Sequence, residues 1–230
     1  MSAVSKDQAP LRIALAGNPN AGKTSIFNVL TGSRQHVGNY PGVTVEKRWG
    51  SFTTASRVIE VADLPGTYSL TAFSPEERVA RDELLRGNHD VVVVVADSTS
   101  LKRSLTLLVQ IMQLGANPVL CLNMADEAAE SGQRVNLARM QARLGFPVVE
   151  TEGHKGKGRD ELIKAIETAA ASKDRPGPPD LGKNLGNALS SLGETLTLSA
   201  DLQSANQWLA TRLLVGDEDV ATMLSADPKS

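Results

Sequence analysis

Eight residues near the start of the chain have the types and spacing of a phosphate-binding loop. Residues 17–24 follow the pattern G-x-x-x-x-G-K-[ST]. The glycines at Gly17 and Gly22 let the backbone approach a ligand closely, so that successive N–H groups can point at phosphate oxygens. Lys23 can bridge the outer phosphates of a nucleotide, and the Thr24 hydroxyl can ligate Mg2+. The pattern therefore predicts a site for a nucleotide and its Mg2+.

The segments on either side of this loop support the interpretation. The mostly apolar residues 11–16 predict a buried strand before the loop, and residues 25–30 have a helical pattern after it. A helix that begins at the loop adds a partial positive charge, which favours phosphate. The alternative is a glycine-containing turn that holds no ligand. The residues expected to contact the nucleotide here are Gly17, Asn18, Asn20, Ala21, Gly22, Lys23, Thr24 and Ser25.

Two further segments carry residues that could complete a site for Mg2+ and a γ-phosphate. A tetrapeptide Asp-Leu-Pro-Gly begins at Asp63, whose carboxylate can hold Mg2+ through water, and ends at Gly66, whose N–H can reach a γ-phosphate. The hydroxyl of Thr44 could join the Mg2+ shell when a γ-phosphate is present, with Gly42 and Val43 beside the nucleotide. Taken singly, the tetrapeptide is an ordinary turn and the threonine an ordinary loop residue. The expected Mg2+ residues are Thr24, Thr44 and Asp63.

The run Asn-Met-Ala-Asp at residues 123–126 follows a predicted strand and resembles the guanine-reading pattern Asn-Lys-x-Asp. Asp126 would accept hydrogen bonds from the N1–H and 2-amino groups of guanine. Adenine would leave this carboxylate unpaired, which is costly in a buried site. Asn123 would tether the base to the phosphate loop, and Met124 would pack on the base. The alternative is an asparagine and an aspartate that only cap the next helix.

Considered together, four sequence segments resemble those of one protein family. They are GNPNAGKT at residues 17–24, VGNYPGVTVE at 37–46, DLPGTYSL at 63–70 and NMAD at 123–126. Over residues 11–171 the chain is similar to the cytosolic GTPase part of the FeoB family of prokaryotic ferrous-iron transporters. The run at residues 206–217 resembles, less specifically, part of that family's helical spacer domain.

The resemblance implies a domain that binds GTP and GDP with Mg2+ and hydrolyses GTP to GDP and phosphate. It implies a place at the cytoplasmic face of the inner membrane, where the domain drives or gates Fe2+ uptake by a membrane permease attached at its C-terminal side. It also implies that Asn20 holds a K+ ion near the β- and γ-phosphates, so that K+ stimulates turnover. Asn20 could also be a simple turn residue. The residues given a catalytic role are Asn20, Lys23, Thr44 and Gly66.

Three positions depart from the broader GTPase pattern. Thr67 stands where Ras-like enzymes carry the glutamine that orients the attacking water, which predicts slow hydrolysis. Met124 replaces the lysine of the guanine motif, as is usual in the resembled family, and predicts weak binding and fast release of GDP. The loop at residues 151–156 lacks the usual Ser-Ala pair, so no side chain of this loop is assigned to the base.

The elements that must position these residues alternate between strand and helix. This alternation predicts an α/β fold with a doubly wound, mostly parallel sheet that binds its ligand at the carboxyl ends of the strands. With the resemblance, the expected fold is that of a Ras-like P-loop GTPase with a small C-terminal helical domain. The expected parts are a flexible tail (1–10), a GTPase domain (11–171), a linker (172–183) and a helical spacer domain (184–230) that is cut short at Ser230.

Individual elements are also predicted from local patterns. Residues 33–44 contain two glycines, an asparagine and a proline and are expected to form a mobile loop. Residues 45–53 and 56–61 are expected to form a hairpin. A helix is expected from Pro75 to Arg86, with the proline at its first position and two acids in its first turn.

Composition limits the classes of function. Of the 230 residues, 41% are hydrophobic and 22% charged, which is typical of a soluble globular protein. The chain has 24 basic and 26 acidic residues, which argues against a nucleic-acid-binding protein. The longest apolar run, residues 91–96, is too short to span a bilayer. Cys121 is expected to be a buried small hydrophobe. His36, His89 and His154 are scattered and expected to be ordinary surface or loop residues.

Two other functions compete with a GTPase that powers transport. One is a regulatory switch module in which nucleotide occupancy sets a conformation and hydrolysis is a slow reset. The other is a ribosome- or RNA-associated GTPase of the same fold, against which the near-neutral charge argues. A homo-oligomer is possible, and the sequence does not decide the oligomeric state.

Overall fold

The structure is a computed structural model that describes residues 9–32, 34–86, 88–172, 175–178 and 180–226. Most of the predicted flexible tail, residues 1–8, lies outside the described residues, as does part of the predicted linker. The strands are β1 (Leu11–Gly17), β2 (Gln35–Asn39), β3 (Glu46–Thr53), β4 (Val58–Asp63), β5 (Val91–Asp97), β6 (Pro118–Asn123) and β7 (Val148–Glu150). The α-helices are α1 (Lys23–Thr31), α2 (Pro75–Arg86), α3 (Leu101–Gln113), α4 (Ala125–Glu130), α5 (Leu137–Leu144), α6 (Arg159–Ala171), α7 (Lys183–Thr195), α8 (Asn206–Leu214) and α9 (Glu218–Ser225).

The strands form one sheet in the order β2-β3-β4-β1-β5-β6-β7. Strands β4, β1, β5, β6 and β7 run parallel, and β3 runs antiparallel to both of its neighbours. Consecutive parallel strands are joined through helices, which is the doubly wound arrangement. The predicted α/β class with a mostly parallel sheet is therefore confirmed.

Strand β5 shows how the sheet is buried on both faces. Its valines alternate, with Val91, Val93 and Val95 in one core and Val92 and Val94 in the other. The first core also contains apolar side chains of α1 and α6, and the second contains those of α2 and α3. A β-branched run of this kind is typical of a central parallel strand covered by helices on both sides. The ligand site of such a sheet is expected at the carboxyl ends of its strands.

The C-terminal helices pack on the second of these cores. Trp208 and Leu209 of α8 are fully buried and belong to the same cluster as the side chains of α3 and β5. Two ion pairs tie α2 to this part of the chain: Arg81 with Asp219, and Arg86 Nη1 with Asp201 Oδ2 at 2.7 Å. No helix within the described ranges is both long and apolar enough to cross a membrane.

Two segments differ from their local predictions. The segment expected to be a mobile loop contains the edge strand β2, which pairs antiparallel with β3. Its side chains are mostly exposed, so no hydrophobic alternation marks it in the sequence. Helix α4 was not predicted and begins directly after Met124.

The positions of His89 and Cys121 can also be compared with what the sequence predicts. His89 lies in the loop between α2 and β5, in agreement with the prediction of a surface or loop position, although its side chain is only 9% exposed and lies 3.6 Å from Glu83 of α2. Cys121 is a buried free thiol, as predicted, and burial raises its pKa to about 12.

Candidate nucleotide-binding site

The predicted phosphate loop connects β1 to α1 and is shaped by close contacts of its glycines. Gly22 has a left-handed backbone (φ 82°), as does Asn20 (φ 65°). A Cβ atom at Gly22 would collide with the Asn123 side-chain amide, and one at Gly17 would collide with the carbonyl oxygen of Val95. Packing within the protein therefore requires a glycine at both positions, whether or not a ligand is bound.

Lys23, Thr24 and Asp63 come together at the start of α1. The Thr24 hydroxyl donates to Asp63 Oδ2 at 3.4 Å, whereas the buried Asp63 Oδ1 has no hydrogen-bond partner among the described residues. Burial lowers the pKa of Lys23, and the nearby Asp63 opposes this change. Burial likewise raises the pKa of Asp63, against the effect of Lys23.

A cavity of about 260 Å³ opens beside these three side chains. The buried, unpartnered oxygen of Asp63 and the neighbouring Thr24 hydroxyl are hard oxygen donors, the kind that Mg2+ prefers. The residues present therefore fit the metal. The cavity is lined by Lys23, Thr24, Val45, Glu46, Arg48, Asp63, Leu64, Pro65, Gly66 and Glu76.

The segment after β4 lies directly against the phosphate loop. The Thr67 N–H donates to the carbonyl of Gly17 at 3.2 Å, and a Cβ at Gly66 would lie 3.1 Å from Pro19. The Thr67 side chain is buried, and its hydroxyl donates to the carbonyl of Ser69. The hydroxyl is thus engaged within its own turn, close to the phosphate loop but not free.

Asn123, at the end of β6, links three loops. Its Nδ2 donates to the carbonyl of Ala21 at 3.0 Å, and its Oδ1 accepts from Gly153 N at 2.9 Å and from Thr151 Oγ1 at 3.1 Å. The contact with the phosphate loop is the tether expected of this residue. Thr151 and Gly153 lie in the loop at residues 151–156, in which the sequence assigned no side chain to the base, and their hydrogen bonds to Asn123 were not predicted.

Met124 and Asp126 follow on the same loop. Met124 has a left-handed backbone (φ 60°) and precedes the first turn of α4, which contains Asp126. Lys155 Nζ lies 2.6 Å from Asp126 Oδ2, and this hydrogen bond lowers the pKa of Asp126. The Asp126 carboxylate thus lies beside the loop that follows β7, as Asn123 does.

Not every predicted residue is brought into this cluster. Gly42, Val43 and Thr44 are exposed, and none of them lines the cavity beside Lys23. Asn20 is exposed at the outer side of the phosphate loop. The remaining two residues of the loop region are Asn18, which is buried with its Nδ2 3.4 Å from Ser104 Oγ, and Ser25, which is half-buried on α1.

The chain matches the protein-family model described as Ferrous iron transport protein B over residues 11–166. The Fe(2+) transporter FeoB of Escherichia coli is 38% identical over 211 residues, which is 90% of this chain. A fusion of Fe(2+) transport protein A with the Fe(2+) transporter FeoB from Porphyromonas gingivalis is 38% identical over 95% of this chain. The chain spans 27% of the length of each of these curated relatives.

Solved structures agree with the sequence relatives. The cytosolic domain of the T. maritima FeoB iron transporter in its GMPPNP form is 38% identical, with a TM-score of 0.85 over 94% of this chain and 85% of that one. The cytosolic domain of L. pneumophila FeoB is 33% identical, with a TM-score of 0.82 over 94% and 93% of the two chains. The chain therefore belongs to the FeoB family of ferrous iron transport proteins and has the α/β P-loop GTPase fold of that family's cytosolic domain.

Proposed function

We propose that this chain binds guanine nucleotides and hydrolyses GTP to GDP and phosphate. The observation that carries the proposal is the set of three hydrogen bonds made by Asn123, which join the phosphate loop to the loops beside the base-reading Asp126. A nucleotide needs its phosphates and its base held at a set separation. Similar FeoB cytosolic domains have been solved in GMPPNP and GDP forms, which supports the same ligands here.

The phosphate end of the site supplies charge and hydrogen-bond donors. The backbone N–H groups of residues 17–24 would surround the β-phosphate, and Lys23 would neutralise the outer phosphates. Thr24 and Asp63 would hold Mg2+, which supplies positive charge for the developing charge on the phosphates. Gly66, held against the phosphate loop, would donate its N–H to the γ-phosphate. Gly42, Val43 and Thr44 would have to move to join them.

Hydrolysis is proposed to be slow in this domain. The hydroxyl of Thr67 donates to the carbonyl of Ser69, so it is not available to orient an attacking water. Asn20 would hold K+, whose charge would add to that of Lys23 near the phosphates. We expect faster GTP turnover in KCl than in NaCl for the unmodified protein, measured as phosphate release. Equal rates in both salts, or an Asn20→Ala variant that keeps the difference, would exclude the K+ role.

At the level of the whole protein, GTP binding is proposed to drive or gate Fe2+ uptake by the attached permease at the inner membrane. The curated relatives named as Fe(2+) transporters are much longer than this chain and support that role. We also propose that residues 11–171 and 184–230 act as a GTPase domain and a helical spacer domain. A regulatory switch with hydrolysis as a slow reset is the second candidate, favoured by the engaged hydroxyl of Thr67.

An Asp126→Asn variant tests the nucleotide assignment. The amide would place a donor where guanine also has donors, so the affinity for GDP should fall about 100-fold, equivalent to about 2.7 kcal/mol. Xanthosine diphosphate, which carries a carbonyl in place of the 2-amino group, should bind the variant better than GDP does. Fluorescence titration of both nucleotides measures this change.

The matched control is Glu127→Gln, which neutralises the exposed carboxylate next along α4. Its GDP affinity should equal that of the unmodified protein. An Asp126→Asn variant with unchanged GDP affinity would remove guanine as the assigned base.

A further inference from the structure

The base-reading carboxylate already has a cation against it. Lys155 Nζ lies 2.6 Å from Asp126 Oδ2, and His154 Nε2 lies 3.5 Å from the same oxygen. Both side chains belong to the loop that follows β7. The other carboxylate oxygen, Oδ1, is buried and has no hydrogen-bond partner in the part of the chain that the structure describes. One oxygen is therefore engaged by Lys155, and the other is enclosed without a hydrogen bond among these residues.

A guanine base needs both oxygens. Its N1–H and 2-amino groups point in the same direction from one edge of the ring, and an ionised aspartate accepts one hydrogen bond on each oxygen in such a pair. Lys155 holds the second acceptor at hydrogen-bond distance. Each carboxylate oxygen has two lone-pair positions, so a base can still reach Oδ2, but it must share that acceptor with the Lys155 cation.

Glu152 offers Lys155 a second partner close by. Its Oε2 lies 3.1 Å from Lys155 Nζ, and its side chain is only 11% exposed. The glutamate is held in place by Lys157, through an ion pair with Lys157 Nζ and a backbone hydrogen bond from Glu152 N to Lys157 O of 3.1 Å. The Lys155 side chain is 54% exposed, and both of its carboxylate partners lie within 3.1 Å of Nζ. Lys155 can therefore leave Asp126 while keeping one carboxylate contact.

We propose that Lys155 is a latch on Asp126 that lowers the affinity for guanine nucleotides and shifts onto Glu152 when the base binds. This inference rests on the proposed guanine-nucleotide function. The latch closes again as GDP leaves, because Asp126 then regains its cation. Exposed ion pairs of this kind are weak, so the latch should reduce GDP affinity by about two- to fivefold rather than block binding.

Lys155→Met in the 230-residue chain removes the cation and keeps the length of the side chain. We expect this variant to bind fluorescent GDP about two- to fivefold more tightly than the unmodified protein at low salt. The difference should shrink towards one at about 1 M salt, where the Debye length is about 3 Å and the latch is screened in the unmodified protein. Lys164→Met is the matched control, since Lys164 is exposed on α6 and forms no ion pair within the described residues, and its GDP affinity should not rise.

A second variant tests the proposed exchange of partners. Glu152→Gln leaves Lys155 with Asp126 alone, so GDP should bind more weakly in the unmodified background and unchanged in the Lys155→Met background. An equal loss in both backgrounds, or a Lys155→Met variant that binds GDP no more tightly than the unmodified protein, would overturn the latch. An unmodified protein that binds no guanine nucleotide would instead overturn the proposed function itself.

Discussion

The phosphate loop (residues 17–24) and the exposed segment (residues 41–44) both lie in loops that should contact the nucleotide, yet they are built in opposite ways. A Cβ at Gly22 would collide with Asn123, whereas a Cβ at Gly42 would meet no described atom within 4 Å. Both glycines have a left-handed backbone, with φ of 82° and 76°. Gly22 is therefore required by both packing and backbone conformation, and Gly42 by backbone conformation alone.

The difference indicates which part of the site exists before the ligand arrives. The phosphate loop is held by the Asn123 amide and by Thr67, and its lysine is buried. The exposed segment makes few such contacts: Val43 is 41% exposed, and Thr44 is exposed as well. Segments with few buried contacts move at low free-energy cost. If the proposed function holds, a γ-phosphate would recruit the exposed segment while the phosphate loop changes little.

Gly22→Ala should have the largest effect because it disrupts the closely packed phosphate loop. A left-handed non-glycine residue costs about 1–2 kcal/mol. Displacing Asn123 and leaving its buried partners unpaired costs about 1–3 kcal/mol more. We expect the free energy of unfolding, measured by urea denaturation of the nucleotide-free protein, to fall by the sum of both costs, and GDP binding to be lost.

Gly132→Ala is the control for backbone strain. Gly132 has a similar φ of 74°, and no described atom lies within 4 Å of its Cβ position. This variant should lose only about 1–2 kcal/mol and should keep its GDP affinity. If both variants lost the same stability, the packing of Gly22 against Asn123 would not matter.

Thr44→Ala should have a smaller effect, confined to one nucleotide state. The hydroxyl is exposed and outside the cavity beside Lys23, so stability and GDP affinity should not change. GTP turnover should fall about tenfold, equivalent to about 1.4 kcal/mol of lost stabilisation. Phosphate release and GDP titration on the same preparation measure both quantities.

Thr44→Ser retains the hydroxyl and should restore most of the turnover lost in Thr44→Ala. If Thr44→Ala weakened GDP binding as much as it slowed GTP turnover, the comparison would be contradicted. The exposed segment would then already belong to the nucleotide-free site.

Much of the fold follows from local patterns in the chain. The proline start of α2 is a strong and specific signal, and the helix lies where it was predicted. The valine run of β5 is likewise typical of a buried central strand. The edge strand β2 has no such signal, because its side chains are exposed and only its pairing with β3 makes it a strand. The burial of His89 depends on α2 lying over it, which no local pattern of His89 reveals.

The same division holds for the site. The chemical groups and their order could be predicted from the chain: a lysine and glycines expected at phosphates, Asp63 expected at Mg2+, and Asp126 expected at a base. Motif spacing carries this information because each motif is contiguous. No motif revealed that Asn123, besides reaching Ala21 as expected, also binds Gly153, or that Lys155 lies on Asp126; these contacts come from tertiary packing. These contacts join residues about thirty or more positions apart, so they exist only once parallel strands bring their carboxyl ends to one edge of the sheet.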